Sequence, residues 1–316
     1  MAGLGGLADG AGASRPGEDA REQMELPPLP PLSPAVEQAI AQEWLTKEER
    51  SWMRVFHGIW TEADLISPRH EAWVALNAWE MDHPSLSDPK VPVEWRAEAR
   101  LRMGAYEEAL ALLADVSSME AVRIRSAALE GLGDGQAALA GLEDAIGRLA
   151  VRRVEDPAVL TDAVRAMKVR ARVAGQPGRD YRNMITLLSR AHQELDRLYW
   201  PALVTEAELL LDKDNRPQGM EAILEALQLN PRSSRVWYAL GNSALDTFNF
   251  DGAQAAMGYL RQLNPEHPQA ALLEARMLLV QDDPDAARAV LEHLLAEWPL
   301  LRPGIALLAA AHAIDY

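Results

Sequence analysis

Three basic residues have a spacing that would place their side chains together on one face of a helix. Arg165, Lys168 and Arg172 lie at positions i, i+3 and i+7 of one amphipathic stretch, and residues with these spacings share a helix face. Guanidinium groups bind carboxylates through pairs of parallel hydrogen bonds. The pattern predicts a site for an acidic peptide or a C-terminal carboxylate. The alternative is that these side chains pair with acidic neighbours on a solvated face.

Patterns that would indicate catalysis or a metal centre are missing from the sequence. His70 begins the stretch HEAWV, which lacks the second histidine of a zinc-protease helix. The stretch DKDNRPQG at 212–219 is followed by Ile223 where a calcium-binding loop needs a glutamate. There is no cysteine, which excludes disulfides and thiolate chemistry. We therefore expect a protein that is not an enzyme and that has no cofactor and no bound metal.

The charge of the chain is strongly acidic and unevenly distributed. The net charge of −16 divides into −9 over residues 1–89, +1 over 90–182 and −8 over 183–316. Such a surface repels phosphate backbones, so we expect no nucleic-acid partner. The longest apolar stretch, 304–311, is far shorter than the ~20 residues of a membrane span. Basic residues are mostly arginine, which indicates a GC-rich, bacterial genome.

The N-terminal third combines a proline- and glycine-rich leader with helical patterns. Residues 1–33 lack periodicity, and we expect them to be disordered. Within and just beyond them, PPLPPLSP (27–34) resembles a polyproline II ligand of SH3-type modules, and the alternative is a stiff spacer. Residues 34–93 form an N-terminal helical region, either divergent repeats or a cap. Its helices are predicted to run from Pro34 to about Trp44, from the Thr46–Glu49 capping box to about Trp60, and from Pro68 to Trp79. We expect its tryptophans to pack between helices rather than to form an aromatic cage.

The C-terminal third is periodic. QLNP occurs at 228–231 and again at 262–265, and Pro299 follows Pro265 at the same interval that separates Pro265 from Pro231. Proline ends a helix, because it lacks the backbone N–H and disfavours helical conformation in the residue before it. Small and bulky residues recur at this same interval, which we call the repeat period. The small residues form two series, Ala207, Gly241, Ala275 and Ala309, and Gly219, Ala253 and Ala287; the bulky residues form a third, Ile223, Met257 and Leu291. The pattern indicates pairs of antiparallel helices that approach closely at the small residues.

The segment Val236–Met257, followed by LNP, resembles a tetratricopeptide repeat of the bacterial type. Trp237, Leu240, Gly241, Ala253 and Pro265 match the family signature, whereas Ala244 and Leu260 depart from it. The resemblance implies an all-α, right-handed superhelical solenoid of antiparallel helix pairs. It divides the chain into degenerate repeats over 94–199, three regular repeats over 200–301, and the first helix of a further repeat over 302–316.

The resemblance also implies a function. Members of the family bind peptides in a concave groove lined by the first helix of each pair, so we expect a non-catalytic scaffold for protein–protein interaction. The register of the first helices places these residues in the groove: Arg123, Arg165, Arg172, Glu208, Tyr238, Asn242, Asp246 and Arg276. Of the family's carboxylate clamp only Asn242 is present, with Tyr238 at the position of the clamp lysine.

The C-terminal helix leaves two further alternatives open. Leu307 and Leu308 do not give residues 302–316 the polar outer face of a terminal cap. The chain is then either the N-terminal scaffold arm of a larger enzyme, such as an envelope hydrolase or peptidase, or it self-associates through this end. As written the sequence favours the cytoplasm, and the periplasm is the alternative if a signal peptide was removed.

Overall fold

A computed structural model describes residues 26–150, 154–176 and 178–314 of the chain. Most of the predicted disordered leader, residues 1–25, lies outside the described residues. Residues 26–33, at its end, have no regular secondary structure and pack against the folded part of the chain. The predicted all-α architecture is confirmed, because the described residues contain helices and no strand.

The α-helices of the described residues follow one another along the whole chain. Two 3-10 turns, Glu62–Asp64 and Pro84–Ser87, and a π-helical turn, Arg190–Leu195, interrupt the series. The α-helices are α1 (Pro34–Ile40), α2 (Lys47–Phe56), α3 (Pro68–Ala78), α4 (Val93–Arg102), α5 (Tyr106–Leu112), α6 (Met119–Gly131), α7 (Gly135–Ala150), α8 (Pro157–Val173), α9 (Tyr181–Ser189), α10 (Trp200–Leu211), α11 (Arg216–Leu229), α12 (Ser234–Asp246), α13 (Phe250–Leu263), α14 (Pro268–Val280), α15 (Pro284–Glu297) and α16 (Arg302–Ile314).

Local capping explains where several helices begin. The Thr46 hydroxyl accepts the Glu49 backbone N–H at 3.2 Å, and the Glu49 carboxylate accepts the Thr46 N–H at 2.8 Å. This reciprocal capping box satisfies two of the N–H groups that a helix start leaves free, and confirms the predicted start of α2. The predicted ends of the first two helices were too late: α1 ends at Ile40 and α2 at Phe56.

From α4 onward the helices form antiparallel pairs that stack along the chain. The first helix of each pair packs on the first helix of the next, through α4, α6, α8, α10, α12 and α14. The second helices of successive pairs make no comparable contact with each other among the described residues. A curved stack brings its inner helices closest together, so the first helices line the inner face of the array and the second helices its outer face.

The repeat period also governs the backbone within each pair. Asp214, Phe248 and Asp282 each have a positive φ, of 56°, 58° and 62°, at the turn after the first helix. The corresponding turns of the earlier repeats have Gly104 and Gly133 in the same conformation. A left-handed residue ends a helix by turning the chain sharply, and glycine adopts it without steric cost.

Small residues are found where the helices approach most closely. Gly241 is buried in α12, and a Cβ atom there would lie 2.5 Å from Leu273 and 3.2 Å from Ala256. The other small residues of the pattern that belong to complete pairs are also buried: Ala207, Gly219, Ala253, Ala275 and Ala287. The bulky positions Ile223, Met257 and Leu291 lie in the core as well, at 0–3% exposure.

The N-terminal helices dock on the turns that contain the QLNP sequence. The Asn230 side-chain amide donates to the Phe56 carbonyl at 2.9 Å, and that of Asn264 donates to the Ala78 carbonyl at 3.0 Å. These two carbonyls lie at the ends of α2 and α3, where helices leave C=O groups without an intrahelical partner. The asparagines of the repeated motif therefore cap two helices from a distant part of the chain.

Aromatic rings fill the space between the N-terminal helices and the repeats. Trp73 lies 5.2 Å from Trp95 and 5.6 Å from Phe56 between ring centroids, and Phe56 lies 5.7 Å from Trp200. Trp44, in contrast, lies beyond the end of α1 and is 74% exposed. Apart from Trp44, the predicted packing of aromatic residues between helices describes this region well.

The last turn of the array contacts its beginning. Trp298 packs edge-on against Trp79 with 5.6 Å between ring centroids, and Leu300 covers Gly104 so closely that a Cβ there would overlap it. Arg302, at the start of α16, pairs with Glu130 at the end of α6 at 3.0 Å. These contacts join the first repeats to the last.

Candidate functional site

The inner face of the array contains a continuous series of charged side chains, which we call the charge ladder. It crosses five successive first helices, and each of them contributes groups that pair with the next. Its members are Glu98 and Arg102 of α4, Glu120 and Arg123 of α6, Asp162, Arg165 and Lys168 of α8, Glu208 of α10 and Arg235 of α12.

At the N-terminal end of the ladder the charges are buried. Glu98 accepts from Arg102 at 3.0 Å and from Arg123 at 2.8 Å. Burial alone would raise the pKa of Glu98, but the guanidinium groups of Arg123, Arg102 and Arg165 hold it well below its usual range. Arg123 has only 7% of its side chain exposed. It therefore links α4 to α6 rather than facing solvent.

The second acidic residue of α6 is in a less favourable environment. Glu120 lies 4.0 Å from Arg123, and this is its only ion pair among the described residues. Burial disfavours the charged form of Glu120, and the nearby Asp162 carboxylate repels a second negative charge. Both effects raise the pKa of Glu120 well above its usual range.

Arg165 lies at the centre of the ladder with little compensation for its charge. Its Nη1 donates to the Asp162 carboxylate at 3.2 Å, and Arg123 also approaches that carboxylate, at 3.8 Å. Burial is the main reason that the pKa of Arg165 is lowered to about 10, and repulsion from Arg123 and Arg235 lowers it further. Because 28% of its side chain remains exposed, an incoming anion could reach this guanidinium.

The C-terminal end of the ladder is better compensated. Arg235 binds both carboxylate oxygens of Glu208, at 2.7 and 2.8 Å, and donates to the Thr205 hydroxyl at 3.0 Å. Lys168 approaches the same carboxylate at 3.3 Å and that of Asp212 at 3.5 Å. Burial would raise the pKa of Glu208, but Arg235 and Lys168 lower it to about 2.

A second polar group continues the inner face from α12 to α14. Arg276 donates to the Asn242 side-chain oxygen at 2.7 Å and also pairs with Asp246. The Asn242 amide donates to the Tyr238 carbonyl at 2.9 Å, one turn earlier on the same helix. Burial raises the pKa of Tyr238. The register of the repeats predicted that these four residues lie in the groove, and in the structure they form one connected group.

Arg172 lies apart from the ladder, at the contact between the ends of the array. Its guanidinium makes two hydrogen bonds with Glu130, at 2.9 and 2.6 Å, and Arg302 pairs with the same carboxylate. More than half of the Arg172 side chain, 56%, is exposed.

The acidic partners of the ladder, Glu98, Glu120 and Asp162, were not among the predicted site residues, and neither was Arg235. The acidic residues belong to the degenerate repeats, where insertions and missing signature residues leave the register of neighbouring helices undetermined. A partial signal was available, because each first helix from α4 to α8 contains a carboxylate within four residues of an arginine.

The described residues form neither a metal site nor a membrane-spanning helix. Across the described ranges, 26–150, 154–176 and 178–314, no group of three or more histidine or acidic side chains could hold a metal ion. In the same part of the chain, no helix has the length and apolar character needed to cross a membrane.

Comparison with known proteins places the chain by structure rather than by sequence. No protein-family model and no curated protein matches it. A chain of the APC/C hetero-tetramer Cut9–Hcn1 is similar with a TM-score of 0.54 and 15% identity, over 84% of this chain and 50% of that chain. Pseudomonas aeruginosa PilF gives 0.39 and 17% identity over 68% and 95%, and yeast Tom70 gives 0.42 and 14% over 87% and 65%. This protein spans half the length of the Cut9–Hcn1 chain that it matches.

The comparison agrees with the helix packing described above. Antiparallel pairs stacked through their first helices, one pair in each repeat period, are the arrangement that the sequence predicted. The fold is a tetratricopeptide-type α-solenoid.

Proposed function

We propose that this tetratricopeptide-type solenoid is a non-catalytic scaffold that binds a peptide or protein segment through its inner face. The observation that carries the proposal is the environment of Arg165, a partly exposed guanidinium whose nearest carboxylate is shared with a second arginine. An acidic group of a ligand at this point would supply the missing negative charge.

The lowered pKa of Arg165 indicates how an acidic ligand would be favoured. Its charged form is disfavoured by burial and by the neighbouring guanidinium groups of Arg123 and Arg235. A carboxylate that hydrogen-bonds to Arg165 would relieve this repulsion, and charge-assisted hydrogen bonds of this kind contribute about 1.5–3 kcal/mol. The specificity would therefore be for acidic segments.

The remaining predicted residues have distinct roles in this proposal. Arg172 would be a second contact, since it is exposed and could exchange its bonds to Glu130 for bonds to a ligand. Arg276, Asn242 and Tyr238 would extend the site along α12 and α14. Arg123 would act as a positioning residue, because it is buried between the carboxylates of Glu98 and Asp162.

The structural likeness supports the general protein-binding role. The similar chain comes from a hetero-tetramer that Cut9 forms with another protein, Hcn1. A solenoid has a large inner surface in relation to its volume, which suits it to bind an extended segment.

A displayed library of random peptides tests this function. Selection on the wild-type protein should enrich peptides with aspartate and glutamate, and Arg165→Gln with Arg172→Gln should weaken those peptides about tenfold or more, the equivalent of about 1.4 kcal/mol. Arg148→Gln with Arg182→Gln is the matched control, since both residues are exposed on second helices. Equal binding to both variants, or no acidic enrichment, would remove the inner-face site.

A further inference from the structure

The segment 26–32, with the sequence LPPLPPL, has a leucine at every third position. We call it the strap. A chain so rich in proline favours the polyproline II conformation, which has three residues per turn and a rise of about 3.1 Å per residue. This geometry places Leu26, Leu29 and Leu32 in a row on one side of the strap, about 19 Å from first to last.

The leucine side of the strap faces the outer surface of the solenoid. Leu26 lies on Gly258 of α13, where a Cβ atom would overlap its side chain. Leu26 and Leu32 both pack against the core that α10–α13 form, and Leu29 lines a cavity beside the N-terminal helices. The prolines at 27, 28 and 31 are exposed. The leucines thus make the contacts while most of the prolines face away.

Two hydrogen bonds hold the backbone of the strap at its ends. The Tyr259 hydroxyl donates to the Pro27 carbonyl, and the backbone N–H of Ser33 donates to the Gln228 carbonyl at 2.8 Å. Because proline has no N–H, a segment with this composition has few backbone donors of its own and is held mainly through its carbonyls and side chains.

The surface beneath the strap is aromatic. The cavity lined by Leu29 has a volume of about 440 Å³ and is also lined by Trp60, Trp237 and Tyr259. The rings of Trp237 and Tyr259 stack with 4.0 Å between centroids. Aromatic grooves with a hydrogen-bond donor at the edge are the surfaces on which proline-rich segments dock in recognition modules.

We propose that this outer-face groove is a binding site for polyproline II segments with leucine at every third position, and that the strap is its internal ligand. A partner segment of the same chemistry competes with the strap. The groove is formed by the N-terminal helices, the start of α12 and the end of α13, and none of its lining residues belongs to the charge ladder, so it is independent of the inner-face function. Release is feasible because Leu29 is still 38% exposed and, among the described residues, two backbone hydrogen bonds hold the strap.

A labelled peptide with the sequence of residues 24–34 tests the proposal on the full chain. The wild-type groove is occupied, since a tethered segment competes at an effective concentration in the millimolar range. Leu26→Ser with Leu29→Ser weakens the strap but leaves Leu32 packed against the core. Fluorescence anisotropy should show the peptide binding this variant at least about tenfold more tightly than it binds the wild type. A peptide with serine in place of its three leucines should not bind.

Two further variants separate the proposal from a general loss of structure. Tyr259→Phe, added to the strap variant, removes the hydroxyl that would donate to the Pro27 carbonyl of the bound peptide and should weaken peptide binding severalfold. Adding Gly258→Leu to the strap variant fills the position of Leu26 and should abolish the gain. Equal peptide binding by the wild type and the strap variant, or by the strap variant with and without Tyr259→Phe, with unchanged helical circular dichroism, would overturn the proposal.

Discussion

The effect of replacing Gly241 by alanine depends on tertiary packing rather than on helix propensity. An alanine in a helix interior is ordinarily more stable than a glycine by about 0.5–1 kcal/mol. At Gly241 the new methyl group would lie 2.5 Å from Leu273, which is fully buried, and 3.2 Å from the methyl group of Ala256. Overpacking of this kind costs about 1–3 kcal/mol. We therefore expect Gly241→Ala to lower the free energy of unfolding by about 1–2 kcal/mol.

The matched control is Gly141, a helix-interior glycine of α7, where a Cβ would meet no atom within 4 Å beyond the adjacent backbone of its own helix. Gly141→Ala should raise the free energy of unfolding by about 0.5–1 kcal/mol, because only the propensity term applies. Urea unfolding, followed by the circular dichroism of the helices, would compare the two midpoints with that of the wild type. If both variants gained stability, Leu273 would have to be able to move aside, and the close approach of α12 and α14 would not constrain residue 241.

Three further predictions concern other parts of the chain. Burial lowers the pKa of His267 from 6.5 to about 4, so the unfolded state binds a proton before the folded state does and acid destabilises the fold as the pH falls from 6.5 to 4. His267→Asn removes this titration and should reduce the loss of stability between pH 7 and pH 4.5 by about 2 kcal/mol, measured by urea unfolding at both pH values. Asn230→Ala with Asn264→Ala leaves the Ala78 carbonyl without a donor and the Phe56 carbonyl with the Trp200 indole alone, and should increase proteolysis within 34–93. Asn249→Ala, which removes only a local cap of α13, should not. Phe248→Asn should raise the unfolding midpoint, because residue 248 has a φ of 58°, a conformation that asparagine adopts more readily than phenylalanine, and the phenyl side chain is 69% exposed. An unchanged or lower midpoint would mean that the phenyl ring makes a stabilising contact.

The repeat architecture could be predicted because its determinants are local and periodic. Proline ends a helix wherever it occurs, and a small residue is needed wherever two backbones approach. Both requirements return once in every repeat period, so Gly241 and Ala253 could be assigned to helix contacts from the sequence alone. The capping box at Thr46 could also be predicted from the sequence, because its two partners, Thr46 and Glu49, are close neighbours in the chain.

The pairing of charges on the inner face could be predicted only in part. Tyr238, Asn242, Asp246 and Arg276 lie in regular repeats, and their shared register placed them together. In the degenerate repeats the distance between first helices varies along the sequence. The pairing of Glu98 with Arg123 therefore depends on how α4 packs against α6 and could not be derived from spacing.

The QLNP motif separates what the sequence determined from what required the tertiary structure. Its period established the helix pairs, the places where they end and the residues that lie between them. That Asn230 and Asn264 bind the ends of α2 and α3 depends on contacts between positions far apart in the chain. No local preference determines such contacts, because they form only when the solenoid brings the N-terminal helices onto its turns. The proline is a property of the chain, whereas the role of the asparagine follows from the fold.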